Sequence, residues 1–78
     1  MNEAVALARQ AVTLEPDNAG YWVDLGQLQL SLDRTDDARD ASERGLAVAR
    51  SANTKELAAS FMRRVEQQAR LAETRENR

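Results

Sequence analysis

Small and apolar residues recur along this chain at a spacing of 34 positions, and this recurrence narrows the possible folds most strongly. Ala4 precedes Ala38 by 34 positions, and the small residues Ala11 and Gly45 are separated by the same interval. Further pairs of similar size or charge at this spacing are Glu3 and Asp37, Ala8 and Ser42, Val12 and Leu46, Leu14 and Val48, Val23 and Leu57, Gly26 and Ser60, and Leu28 and Met62. A period of this length, built from pairs of helices, indicates helical units stacked side by side.

The first half of the chain predicts two helices. In residues 3–15, apolar residues at helical spacing indicate one buried stripe, formed by Ala4, Leu7, Ala8, Ala11, Val12 and Leu14. Pro16 ends this helix, and Asp17 or Asn18 caps a second one over residues 19–32. The second helix is apolar on several sides, so we expect it to be buried on more than one face, at the centre of the domain.

The second half of the chain predicts two more helices. Thr35 is a candidate N-cap for a third helix over residues 36–50, followed by a fourth helix that ends near residue 75. The spacing of Asn53 and Glu56 resembles a capping box at the start of this fourth helix. The inward face of the third helix is formed by small residues, namely Ala38, Ala41, Ser42, Gly45 and Ala49. Such a face allows another helix backbone to approach closely.

Gly26 lies inside the second helix, where glycine costs about 1 kcal/mol relative to alanine. We interpret this position as a close approach between helices. If the second and third helices pack antiparallel, Gly26 faces the small row that contains Ala38 and Ser42. A side chain at position 26 would then hold the two helices apart.

Composition argues against several classes of function. The 78 residues contain no cysteine and no histidine, which excludes disulfides and the common zinc sites. The net charge is −2 with both signs interspersed, so the chain lacks the basic stripe typical of nucleic-acid binding. No apolar run has the length of a membrane span or of a signal peptide, which predicts a soluble chain in an unspecified compartment.

Catalysis is also disfavoured. The chain has no histidine or cysteine, and its serine and threonine residues lie at predicted caps, in turns or on the small packing row. Asp36 and Asp37 form a carboxylate pair, but acidic residues are common in the first turn of a helix because they complement its dipole. We therefore predict no catalytic, cofactor-binding or metal-binding residues, and no enzyme activity.

The sequence resembles the tetratricopeptide repeat family. The residues that carry this resemblance are Trp22, Leu25, Gly26, Ala38 and Gly45, with Ala4, Ala11 and Pro16 at matching positions in the preceding segment. Other positions depart from the family pattern. Gln29 replaces an aromatic residue, Ser42 and Ala8 replace a second one, and Arg50 replaces a proline.

The resemblance implies an all-α fold of antiparallel helix hairpins, stacked as a short right-handed α-solenoid of about four helices. Residues 1–78 would then form a single domain. Residues 3–18 would be the second helix of a partial repeat, residues 19–52 a full repeat, and residues 53–76 a capping helix. In such an arrangement the terminal helix needs a polar outer face.

The resemblance also implies a function in protein–protein interaction. In this family the inner helices line a groove for a peptide or partner protein. By position, the groove residues of this chain are Val23, Gln27, Leu30, Ser31, Leu57, Phe61 and Arg64. The chain is expected to be part of a longer protein. An alternative is self-association through the half-repeat at the N-terminal end, where the side of the first helix that carries Val5, Ala8 and Val12 would contact another chain.

Overall fold

The computed structural model describes the backbone of residues 3–76 and the side chains of residues 3–73. In this range the chain forms four α-helices, α1 (Glu3–Leu14), α2 (Ala19–Ser31), α3 (Thr35–Val48) and α4 (Ala52–Glu76). The predicted all-α fold with four helices is therefore confirmed. Each predicted helix is present, with boundaries within three residues of those expected from the sequence.

The start of α2 is held by its cap and by a side-chain bond to the preceding loop. The side chain of Asn18 accepts a hydrogen bond from the backbone N–H of Tyr21, at 3.2 Å. This bond satisfies one of the free amide groups of the first helical turn. The indole N–H of Trp22 donates to the carbonyl oxygen of Pro16 at 2.8 Å. Both bonds fix the direction in which α2 leaves the turn after α1.

The turn between α2 and α3 is a Schellman motif that centres on Asp33. The backbone N–H of Arg34 donates to the carbonyl of Gln29 at 2.9 Å, and that of Asp33 donates to Leu30 at 3.1 Å. Asp33 has a φ of 61°, a left-handed conformation that aspartate tolerates better than most residues. The expected N-cap at Thr35 is wrong, because Thr35 is already helical and Arg34 occupies the cap position.

The start of α4 is capped by two hydroxyl groups. The backbone N–H of Thr54 donates to Oγ of Ser51 at 3.1 Å, and the backbone N–H of Ser51 donates to Oγ1 of Thr54 at 3.2 Å. This is the reciprocal pattern of a capping box. The box expected from Asn53 and Glu56 is wrong by two residues, since Ala52 already begins the helix.

The helix α2 lies at the centre of the fold, as predicted, and contacts α1, α3 and α4. Two groups of buried residues surround it. The cluster shared by α2, α3 and α4 consists of Val23, Leu30, Ala38, Ala58, Phe61 and Val65. A second cluster lies between α1 and α2, where Val5 and Val12 pack against Leu25. The predicted small face of α3 is also buried, which brings α3 close to α2.

The buried side of α1 differs from the expected one. Val12 belongs to the predicted stripe and is buried, together with Val5, against α2. The alternative in which this side of α1 contacts another chain is therefore wrong. Leu7 and Leu14 were expected to be buried, but they are 65% and 81% exposed. The reason is that the apolar stripe of α1 is broader than its contact with α2, and only the edge that carries Val5 and Val12 meets that helix. The outer side of α1 therefore exposes two leucines.

Gly26 does mark a close approach, but its main neighbour lies on a different helix from the one expected. A Cβ atom added at Gly26 would overlap the ring of Phe61 on α4, with Cζ only 2.9 Å away. The Cβ atom of Ala41 on α3 would lie at 3.4 Å. The expected neighbours Ala38 and Ser42 are not among these nearest atoms. The glycine thus allows the Phe61 ring to lie against the backbone of α2.

Candidate partner-binding site

A groove runs between α2 and α4. It encloses about 250 Å³, and its lining residues are Gln27, Leu30, Ser31, Phe61, Arg64 and Gln68. We call it the α2–α4 groove. Its position follows from the contact at Gly26, because the Phe61 ring sets the separation of the two helices along one side. The groove is therefore a consequence of the packing that places a glycine opposite an aromatic ring.

Five of the seven residues predicted to contact a partner line this groove. The other two lie elsewhere. Val23 is buried in the core, and Leu57 is 45% exposed on α4 outside the groove. Gln68 lines the groove but was not predicted. It follows Arg64 by four positions on the same helix, a spacing that places both side chains on one face.

The groove combines an apolar floor with polar walls. Leu30 and Phe61 are buried and belong to the core cluster, whereas Gln27, Ser31 and Arg64 are exposed. The Ser31 hydroxyl donates to the carbonyl of Leu28 at 2.7 Å, which leaves its oxygen lone pairs for a ligand. Gln27 offers both a donor and an acceptor, and Arg64 offers a positive charge with several donors. These groups suit a peptide segment that carries an acidic residue.

The residues that carry the repeat resemblance differ in burial. Leu25, Gly26, Ala38 and Gly45 are buried. An added Cβ atom at Gly45 would lie 3.1 Å from Cβ of Trp22, which marks a second close approach between α2 and α3. The remaining members of this set are the half-buried residues Trp22 and Ala11 and the exposed residues Ala4 and Pro16.

A second depression lies on the other side of α2, between α1 and α3. It encloses about 360 Å³ and contains Arg9, Thr13, Gln29, Asp37, Asp40 and Arg44 among its lining residues. We call it the α1–α3 cleft. The side chain of Arg44 contacts Asp40 at 3.1 Å and lies 5.6 Å from the centre of the Trp22 ring. The cleft is therefore more polar than the α2–α4 groove.

Ion pairs and one perturbed carboxyl group lie along the surface of α3 and α4. Arg39 on α3 contacts Glu66 on α4 at 3.0 Å and links the two helices. Hydrogen bonds from Ser60 and Arg63, together with the charge of Arg63, lower the pKa of Glu56 below its ordinary value. All three side chains are exposed, so this network adds little to the stability of the fold.

Two further features concern the described residues. In the part of the chain that the structure describes, no three potential ligand residues group closely enough to hold a metal ion. Among the same residues, no helix is both long and apolar enough to cross a bilayer.

One of three comparisons with known proteins found a match. A family model described as tetratricopeptide repeat matches residues 1–64, which is most of the chain. The matched segment includes α1, α2, α3 and the first half of α4, and therefore most of the α2–α4 groove. Comparisons with curated proteins and with solved structures found no match.

Proposed function

Because this chain belongs to the tetratricopeptide repeat family, whose members generally mediate protein–protein interaction, we propose that it binds a partner protein through the α2–α4 groove. The observation that supports this proposal is the convergence of five predicted contact residues on one groove. The bound segment is an extended or helical peptide. It packs apolar side chains above Leu30 and Phe61 and forms hydrogen bonds along the exposed walls.

The charge of the groove indicates one property of the partner. Arg64 is exposed at the groove wall, and the opposite wall contributes the neutral groups of Gln27 and Ser31. A guanidinium group forms its strongest hydrogen bonds with a carboxylate. The partner segment therefore carries an aspartate or a glutamate at the position that faces Arg64, with backbone amides near Gln27.

Replacing Arg64 with alanine is expected to weaken peptide binding about tenfold or more, because hydrogen bonds to a charged group contribute about 1.5–3 kcal/mol. The peptide is obtained by selection from a displayed peptide library against the wild-type protein. Its affinity is then measured by isothermal titration calorimetry. Gln27→Ala is expected to weaken binding by a smaller factor, since a neutral hydrogen bond contributes less.

The matched control is Arg63→Ala, which removes the neighbouring arginine. Arg63 does not line the α2–α4 groove, and its side chain contacts Glu56 and Ser60 on the surface of α4. Its replacement is expected to leave the affinity unchanged. Equal losses for Arg63→Ala and Arg64→Ala, or binding that is insensitive to both Arg64 and Gln27, would contradict the proposed site.

A second candidate function is self-association through the outer face of α1, which carries Ala4, Leu7, Ala11 and Leu14. The exposure of Leu7 and Leu14 favours it. Thirty-four positions later, the residues of α3 at the same places are Ala38, Ala41, Gly45 and Val48, the first three of which are buried and the last half-buried. The equivalent face of α3 is thus covered by a helix.

The pattern of side-chain sizes on this face is self-complementary. If two copies of α1 pack antiparallel with residue 9 at the centre, Leu7 of one copy lies opposite Ala11 of the other. Leu14 then lies opposite Ala4. Large residues alternate with small ones across such a contact, which allows the side chains to interdigitate. This pairing is the form of self-association that we propose.

Self-association is tested by light scattering over a concentration series. The wild-type protein is expected to show a rising mean mass toward high micromolar concentration, and Leu7→Glu with Leu14→Glu is expected to remain monomeric because it buries charge in the contact. Leu71→Glu, at an exposed leucine of α4, is the control and keeps the wild-type profile. A wild-type protein that stays monomeric throughout the series would exclude this function.

A further inference from the structure

A third depression lies on the surface between α3 and α4. It encloses about 640 Å³, which is more than the α2–α4 groove or the α1–α3 cleft encloses. We call it the α3–α4 cleft. It shares no lining residue with the α2–α4 groove. Gln68 lines the groove and Arg70 lines the cleft, and at about 100° per residue their side chains leave α4 on nearly opposite sides.

The floor of the α3–α4 cleft is apolar and partly open to solvent. Leu46 is 36% exposed, and Ala59 and Met62 are half-buried. Thirty-four positions before Leu46 and Ala59 lie Val12 and Leu25, which are buried and line the α1–α3 cleft, where α3 supplies a third wall. Among the residues that the structure describes, no helix supplies a third wall to the α3–α4 cleft.

The rim of the α3–α4 cleft has an excess of positive charge. Its ionised residues are Arg63, Glu66 and Arg70. The carboxylate of Glu66 accepts a hydrogen bond from Arg39 at 3.0 Å, so its charge is already compensated. Arg63 contacts Glu56, but both side chains of that ion pair are exposed and the pair contributes little. The guanidinium group of Arg63 has five N–H donors and therefore keeps donors for a second carboxylate.

We propose that the α3–α4 cleft binds an amphipathic helix of a partner protein that carries two acidic residues seven positions apart on its contact face. Arg63 and Arg70 are also seven positions apart, which on α4 corresponds to about 10.5 Å. A helix that lies along α4 presents its carboxylates at the same interval. Its apolar residues between the two carboxylates pack on Leu46 and Met62, as in other complexes of an amphipathic helix with a groove.

The fold of α4 explains why the covering helix comes from another protein. Residues 32–34 form the turn that leads from α2 into α3. Thirty-four positions later, residues 66–68 are helical and belong to α4, which continues to Glu76. The chain therefore does not fold back at this place to cover the cleft, as it does after α2.

The test measures binding of two fluorescent synthetic peptides to the intact protein by fluorescence anisotropy. Both peptides are about four helical turns long, are held helical by a hydrocarbon staple on the outer face and share the same leucine and alanine positions. One carries glutamate at two positions seven apart, and the other carries lysine there. We expect saturable binding of the glutamate peptide and at least about tenfold weaker binding of the lysine peptide.

The decisive variant combines Arg63→Glu with Arg70→Glu. We expect it to weaken binding of the glutamate peptide by about tenfold or more and to bind the lysine peptide in its place. Damage to the fold would abolish both interactions, so this exchange of preference identifies the cleft. The control combines Arg50→Glu with Lys55→Glu, which changes the net charge equally at exposed positions outside the cleft and keeps the preference for the glutamate peptide.

A second variant, Met62→Glu, places a negative charge on the floor of the cleft and is expected to abolish binding of the glutamate peptide. It remains informative if the variant with two substitutions does not fold. Light scattering of Met62→Glu is expected to match the wild-type protein. A lower mean mass for this variant would assign the cleft to a second copy of the chain and overturn the proposal.

Three further results would overturn the proposal. The first is equal affinity of the wild-type protein for the glutamate and lysine peptides. The second is unchanged affinity for the glutamate peptide after Arg63→Glu with Arg70→Glu, which would place that peptide elsewhere on the surface. The third is equal binding of a glutamate peptide with a central proline, which does not form a continuous helix. Failure of Arg64→Ala to weaken binding in the α2–α4 groove would leave this proposal unaffected.

Discussion

Replacing Phe61 with alanine is expected to leave most of the protein unfolded at room temperature. Phe61 is 3% exposed, belongs to the core cluster and lies against Gly26 of α2. Truncating a buried phenylalanine to alanine costs about 3–5 kcal/mol. The core of a chain of this size supplies a total of about 3–5 kcal/mol, so the loss is comparable to the whole stability. Circular dichroism with urea denaturation measures the effect.

The control for this variant is Leu57→Ala, one helical turn earlier on α4. Leu57 is 45% exposed, so its truncation removes less buried surface and is expected to cost clearly less than Phe61→Ala. If Phe61→Ala unfolds cooperatively with a loss below about 1 kcal/mol, far under the range for a buried phenylalanine, the ring is not part of the core that joins α2 to α4.

Replacing Gly26 with leucine is expected to reduce the free energy of unfolding by about 1–3 kcal/mol, the usual effect of overpacking. Gly26→Ala should also destabilise the protein, although alanine is intrinsically favoured in a helix by about 1 kcal/mol. The reason is that an added Cβ atom would lie 2.9 Å from Cζ of Phe61, and this buried ring has little freedom to move. Thermal melting followed by circular dichroism measures both variants.

Gly20 provides the matched control in the same helix. An alanine at position 20 would meet only the Asn18 side-chain oxygen, at 3.3 Å. Because that side chain can shift by a few tenths of an ångström, Gly20→Ala is expected to be neutral or stabilising by up to about 1 kcal/mol. A higher melting temperature for Gly26→Leu would show that position 26 has free space and is no close approach.

Much of the fold could be predicted from the sequence because short-range signals determine it. Pro16 and Asn18 end one helix and begin the next through local backbone chemistry, and the structure confirms both. The small face of α3 predicted close helix packing, and this packing is present. The division into repeat units at residues 3–18, 19–52 and 53–76 stays a prediction.

Two sequence predictions were wrong because the chain contains competing signals for the same feature. The hydroxyl pair Ser51 and Thr54 and the pair Asn53 and Glu56 both have capping-box spacing. The hydroxyl pair caps α4 because the chain leaves α3 early enough for Ala52 to begin the helix. The apolar stripe of α1 is likewise broader than its contact with α2, so the spacing alone does not determine which edge of the stripe is buried. For α1, packing against α2 determined the outcome.

The burial of Gln29 could not be predicted, for a different reason. The groove residues Gln27 and Arg64 were predicted from their positions in the repeat, and they line one groove. Gln29 was recognised only as a departure from the family pattern, since a polar residue in a helix is usually exposed. Its burial depends on α1 and α3 packing on either side of it, which the sequence of α2 alone does not reveal.

The ring of Phe61 on α4 lies against the backbone of α2 at Gly26 and so creates the groove between the two helices. The most direct measurement is the nuclear Overhauser effect between the Hα protons of Gly26 and the ring protons of Phe61. Strong cross-peaks are expected, together with slow exchange of the Gly26 amide. Absence of these cross-peaks in a folded sample, with the Phe61 ring in contact only with other residues, would contradict the claim.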